Sequence, residues 1–197
     1  MTLGCSTVGK DREVWLRARA TTVLVRDQIG SLGTGNVINP RCIITAGHVA
    51  DVDDPVVTTA SGTEYPMKKV AHNDQDDLAV ACGTKDLDAP AVSFGPTPTL
   101  YEPVFTIGFP LGEHWVLTLG HYQDRDLITT PCAPGNSGGG VFTSDGAYVG
   151  LVDSLDVLRK EEFVAPVYHL CNIISGTTIK KFLTTNKIDF NHERRTL

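Results

Sequence analysis

The sequence predicts an all-β protein built as two barrels in series, and three observations carry that expectation. Short apolar runs such as Cys42-Ile43-Ile44-Thr45-Ala46 and Leu78-Ala79-Val80 recur along the chain, each bounded by turn residues, which is the pattern of barrel strands. Residues 95–99, with Pro96 and Pro98, divide those runs into two groups, because proline cannot donate to a central ladder. The chain has 197 residues, a length that buries about 70% of the unfolded surface and suits one double-barrel unit.

In chain order, residues 10–20 have helix-forming composition, with Trp15 and Leu16 as the docking residues of an accessory helix. A strand follows over 21–25. The glycine-rich segment 30–35 then leads into Asn36-Val37-Ile38, and Asn39-Pro40-Arg41 turns the chain into the strand 42–45, making a hairpin. Strands over 55–59, 67–71 and 78–82 complete a first barrel that ends near Phe94. The second barrel takes strands over 103–108, 115–121, 126–130, 139–143, 148–154 and 163–166. Residues 178–187 read as a closing helix, followed by a polar tail. The expected organisation is therefore an N-terminal accessory segment (1–20), a first barrel (21–95), a second barrel (101–170) and a C-terminal helix and tail (171–197).

The chemistry-bearing segments are Thr45-Ala46-Gly47-His48, Asp77-Leu78-Ala79-Val80 and Gly135-Asn136-Ser137-Gly138-Gly139. A serine hydroxyl barely ionises at neutral pH, so it attacks a carbonyl only when a base takes its proton and another group orients that base. His48, closing one apolar strand, and Asp77, opening another, can supply both roles for Ser137. The glycines around Ser137 permit a tight turn that aims the amides of Gly135 and Ser137 at one point, an oxyanion hole. Asp77 is singled out from Asp74 and Asp76 because it runs directly into the apolar Leu78-Ala79-Val80, whereas the other two read as solvated. A calcium loop is the competing reading of this acidic stretch, but the glycine and distal glutamate of that pattern are absent, so no metal site is expected. Asp51, Asp53 and Asp54 read as a charged loop. His72, His114, His121, His169 and His192 read as solvated loop or edge residues.

The order His, Asp, Ser on these segments resembles the chymotrypsin-like serine proteases. Within that family the resemblance is closest to the HtrA/Deg branch. Gly33-Thr34-Gly35-Asn36-Val37-Ile38 is similar to its hairpin, Ile107-Gly108-Phe109-Pro110 to its I-G-x-P turn, and Phe163-Val164-Ala165-Pro166 to its F-A-I-P strand. The resemblance implies two six-stranded antiparallel β-barrels and a serine endopeptidase. Ser137 would attack, His48 would shuttle the proton, Asp77 would orient His48, and no cofactor would be needed. It also implies a pocket lined by Cys132, Ala133, Asp153, Ser154 and Leu155. Pro131 stands where relatives that cut after Lys or Arg carry an aspartate, so small apolar residues are expected at the cut site. Asp153 is expected beside Asp77, where it needs a hydrogen-bond partner; turned into the pocket it would instead select a basic residue. No room remains after Pro166 for the PDZ domain usual in the branch, so oligomer-based regulation is not carried over. A narrow maturation or self-processing protease of virus or phage type, and a catalytically silent binding module, are the alternatives.

Net charge is -6 with no long Lys/Arg run, which disfavours a nucleic-acid partner. A protein or peptide substrate is the expected partner, with oligomeric state left open. No run approaches the roughly 20 apolar residues of a membrane span, and the first residues lack an apolar signal core. There are five cysteines, an odd number, and Cys42 and Cys82 lie in apolar runs where a free thiol behaves as a small hydrophobe. Val49 and Ala50 occupy the place where secreted digestive relatives carry a paired cysteine. Reduced cysteines in a cytoplasmic or virion-associated setting are therefore expected.

Overall fold

A computed structural model describes residues 5–26, 30, 32–50, 54–112, 114–124, 126–160 and 163–190. The chain opens with helix α1 (Cys5–Thr21) and continues through β1 (Thr22–Arg26), β2 (Leu32–Asn39), β3 (Cys42–Ala46), β4 (Val56–Thr58), β5 (Glu64–Pro66), β6 (Lys68–Asn73) and β7 (Leu78–Cys82). These strands form one curled antiparallel sheet in the order β5-β4-β1-β2-β3-β7-β6. After the proline-bearing connector come β8 (Pro103–Gly108), β9 (Val116–His121), β10 (Leu127–Ile128), β11 (Gly140–Thr143), β12 (Tyr148–Lys160), β13 (Phe163–Ser175) and helix α2 (Gly176–Thr185). The second sheet runs β10-β13-β12-β11-β8-β9, also antiparallel. The two curled sheets form the double barrel expected from the sequence. The first sheet gains a seventh strand, β5, because Tyr65 and its neighbours fold back on Val57.

The apolar runs are strands because both of their faces are covered. All five residues of β3 are buried, as are four of the five in β7, and the two strands pair directly from Cys42↔Cys82 to Ala46↔Leu78. The larger core joins Ile43, Ile44, Val80 and Leu78 to Phe105, Phe142 and Tyr148 of the second sheet, so the two barrels share apolar packing. A smaller cluster inside the second sheet contains Val104, Ile128, Cys132, Val141 and Val152, with Leu155 packed on its edge.

Helix α1 docks through Val14 and Ala18, one turn apart on a single face, with Trp15 half-buried beside them; Leu16 points to solvent. The expectation that Leu16 docks is corrected by that spacing. Arg19 lies over the Trp115 ring at 4.8 Å and tethers the helix to the second barrel's side. Helix α2 begins after Ser175, whose hydroxyl accepts from the Thr178 amide, two residues earlier than the sequence suggested.

The cysteine reading is overturned. Cys42 and Cys82 are bonded, as are Cys132 and Cys171. The physical reason is register: Cys42 and Cys82 are cross-strand partners on β3 and β7 with Cα atoms 4.1 Å apart. Two apolar runs 40 residues apart show nothing of that facing arrangement until the strands are paired. Disulfides persist in oxidising compartments, so the reducing, cytoplasmic or virion-associated setting is corrected to an extracytoplasmic one.

Candidate active site

His48 lies in a single 3-10 turn, residues 47–50, that caps β3. Asp77 sits at the mouth of β7, in the left-handed region with φ 48°, a conformation that aspartate tolerates better than most residues. The two segments lock together. Gly47 N donates to the Asp77 carbonyl at 2.7 Å, His48 N donates to Asp77 Oδ1 at 2.9 Å, and His48 Nδ1 meets Asp77 Oδ2 at 2.6 Å. A side chain on Gly47 would strike Asp77 Oδ1 and the ring of His72. Glycine is therefore what lets the histidine turn approach the aspartate this closely. With Nδ1 committed to Asp77, the opposite ring nitrogen is the one free to act as a base.

Ser137 is held from both barrels. On the first-barrel side, Thr34 N donates to the Ser137 carbonyl at 2.9 Å, Thr34 Oγ1 donates to the Gly135 carbonyl at 2.7 Å, and Asn36 Nδ2 donates to the Gly138 carbonyl at 2.7 Å. On the other side Gly138 N donates to the Val152 carbonyl of β12 at 2.7 Å. Gly138 has φ 83°, and a side chain there would collide with the Thr34 carbonyl and the Thr45 hydroxyl. The serine loop thus lies against Thr45, three residues before His48. Among the described residues the Ser137 hydroxyl makes no hydrogen bond, so it is uncommitted.

Residues 133–136 form a type II turn. Asn136 N donates to the Ala133 carbonyl at 3.1 Å, Pro134 is the second residue, and Gly135 is the third with φ 97°. The Pro134 carbonyl accepts from Leu111 N at 2.7 Å, and in a trans peptide the following N–H points the opposite way. Among the described residues neither the Gly135 nor the Ser137 amide donates within the chain, which leaves two donors for a ligand oxygen.

The remaining candidates fall around this centre. Asp153 is the extra residue of a β-bulge, since Val152 pairs with Ile173 but Ser154 already pairs with Asn172. The bulge brings a carboxyl oxygen of Asp153 within 4.8 Å of Asp77 and His48, while Ser154 Oγ donates to Asp153 Oδ2 at 3.0 Å. Burial pushes both carboxyls up. For Asp77 the hydrogen bonds from Asp153 and His48 outweigh burial and hold it below the ordinary carboxylate value; for Asp153 burial and the neighbouring Asp77 keep it above. Cys132 is buried and disulfide-bonded to Cys171, Ala133 and Leu155 are half-buried, and Pro131 is exposed. His72 was read as a solvated edge residue. It is instead largely covered beside Gly47 and Asp77, with Nε2 3.5 Å from Asp74; a bulge between Lys69 and Ala71 breaks the alternation of β6, so the sequence carried no signal for it. Asp51 and Asp53 of the charged-loop reading, and His192, lie outside the described residues. Donor atoms of His48, Asp77 and Asp153 lie within 4.8 Å of one another, a spacing that could suit a cation. Both Asp77 oxygens, however, already accept from His48.

Comparison with known proteins decides the family. Residues 33–151 match the family model of the trypsin-like peptidase domain. The chain belongs to the trypsin-like peptidase family. This trypsin-like domain is 34% identical over 177 residues to a probable periplasmic serine endoprotease, DegP-like, of Marinomonas sp., covering 82% of the chain and 37% of that relative. A DegP-like endoprotease of Chlamydia pneumoniae is 32% identical over 136 residues, covering 60% of the chain and 28% of the relative. The trypsin-like chain therefore spans about a third of the length of these relatives, which place it in the HtrA/DegP branch. Their description as periplasmic agrees with the oxidising setting that the disulfides indicate. Among solved structures, Rv3671c of M. tuberculosis in an inactive form superposes with TM-score 0.76 at 16% identity, covering 95% of this chain and 96% of that one. The HtrA-type protease AlgW gives TM-score 0.76 at 21% identity, covering 89% and 62%. The fold is the chymotrypsin-like double barrel.

Proposed function

We propose that this chain is a serine endopeptidase that works through an acyl-enzyme. Ser137 Oγ attacks the scissile carbonyl while His48 takes its proton; Asp77 holds His48 in the tautomer that leaves the outer ring nitrogen free. The amides of Gly135 and Ser137 receive the oxyanion. His48 then returns the proton to the leaving amine, and water repeats the sequence to release the acid. The observation that carries this reading is the His48–Asp77 pair at 2.6 Å, set beside a glycine-walled serine loop whose Gly135 and Ser137 amides donate to none of the described residues. Both side chains are partly exposed and lie outside the apolar core, so burial does not hold the pair together.

The deciding experiment is labelling with a fluorophosphonate probe. Wild-type protein should incorporate it on Ser137 and cleave an unfolded protein substrate, and Ser137→Ala should do neither. A folded wild type that fails to label would overturn the reading.

A further inference from the structure

Asp153 is a titratable side chain at this centre that acyl transfer leaves without a task. Its position is built: a β-bulge in β12 removes it from the ladder, and the Val152 peptide just before it is tied to the serine loop through Gly138 N and the Gly139 carbonyl. Carboxyl oxygens of Asp77 and Asp153 lie within 4.8 Å of one another, and two carboxyls this close repel strongly when both are ionised, which favours one of them keeping its proton. The partners decide which carboxyl keeps it. Asp77 accepts two N–H bonds from His48, at 2.9 and 2.6 Å, which favour its charged form. Among the described residues Asp153 accepts the Ser154 hydroxyl, itself backed by Asn172 Nδ2 at 3.4 Å. The other titratable groups around the pair are His48, from the turn after β3, and His72, on β6 with Asp74 behind it. Among the described residues no lysine or arginine pairs with either carboxyl.

We propose that Asp153 is a positioning residue that retains a proton on its carboxyl and donates it to Asp77, extending the His48–Asp77 pair by one further member. The directions in which burial and neighbours push the two groups, Asp153 up and Asp77 down, agree with that division. The kinetic consequence rests on the peptidase reading. While Asp153 is protonated, Asp77 has three donors and a fixed orientation. When pH rises and Asp153 ionises, the donor becomes a second negative charge, the carboxyls separate, and His48 loses its support. Activity should therefore fall over the pH range in which Asp153 gives up its proton. Asparagine at this position donates from an amide that has no proton to lose in that range.

Infrared difference spectra of wild type against Asp153→Asn at neutral pH test the proton directly, with no dependence on catalysis. A carboxylic-acid C=O band that is present in wild type, absent from D153N, and lost as pH rises is the expected result. A spectrum showing only carboxylates in wild type at neutral pH overturns the proposal. The same proteins are then followed as kcat and KM against pH. D153N should lack the alkaline decline of wild type, and Asp153→Ala should lose about 10- to 100-fold in kcat with little change in KM. Coincident alkaline limbs in wild type and D153N overturn the positioning role even when the band is present. Thermal melting establishes that each variant is folded, and Asp153→Ser supplies a shorter donor if alanine is not tolerated. Failure of wild type to label with fluorophosphonate would defeat the peptidase reading while leaving the infrared result standing on its own.

Discussion

Ser137, His48 and Asp77 differ in how much each would cost to remove. Ser137→Ala or His48→Ala is expected to lower kcat by about a million-fold, by analogy with another triad enzyme, and Asp77→Ala by about ten-thousand-fold. Circular dichroism should show all three folded, because none of the three side chains is part of the apolar core. A loss below about a hundred-fold for either Ser137→Ala or His48→Ala would show that the reaction runs elsewhere. Asp153 also makes a stability prediction, with its sign set by the direction of its shift. A carboxyl held above its ordinary value of 3.8 contributes stability that is complete below that value and is lost as pH rises through the folded value. Asp77, held below 3.8, does the reverse and loses its contribution as pH falls. Wild type should therefore lose melting temperature relative to D153N as pH rises above about 4. Parallel curves would show that Asp153 titrates normally.

At the scale of elements, β2 matters to the chemistry through Thr34 more than through its apolar residues. Thr34 Oγ1 donates to the Gly135 carbonyl and accepts from Phe109 N at 3.1 Å, so one hydroxyl fixes both the 133–136 turn and the loop after β8. Thr34→Val keeps the shape and removes both bonds. We expect a stability loss of about 1 to 3 kcal/mol and a kcat loss of about 100-fold, the cost of misplacing a donor by about 1 Å; unfolding curves and steady-state kinetics separate the two. The β3–β7 disulfide closes a 40-residue separation, and its replacement by Cys42→Ala with Cys82→Ala should cost about 3 to 4 kcal/mol in denaturant unfolding. Strands β1, β3, β7, β8 and β11 were legible because each is short, carries an apolar run and is bounded by turns. Strand β5, Glu64-Tyr65-Pro66, was not, since two of its three residues are exposed and its strand character comes only from pairing with β4. The serine loop and the histidine turn were legible from composition. The Cys42–Cys82 disulfide, the place of His72 and the bulge at Asp153 all depend on which residues face each other across strands, and register is a property of two segments that neither carries alone.

For the whole molecule, the peptidase reading makes the second-barrel residues beside the serine loop the ones that set what is accepted. Ala133 and Leu155 there are apolar and half-buried, the Cys132–Cys171 bridge is buried, and Asp153 lies within 4.8 Å of Asp77 and His48. Cleavage of a peptide library should favour Ala or Val on the acyl side of the cut. The preference should be graded, because each methylene is worth only about 1 to 3 kcal/mol, and dominant cleavage after Lys or Arg would refute it. The grip of Thr34 and Asn36 on residues 135–138 spans 101 and 102 positions of sequence. During synthesis the first barrel leaves the ribosome well before the serine loop, and the loop has no mould until the two barrels dock. On the peptidase reading, a half-made or half-unfolded copy carries a nucleophile but no oxyanion site. Such a copy is chemically quiet, and the capacity to cut its neighbours arrives only with the completed fold.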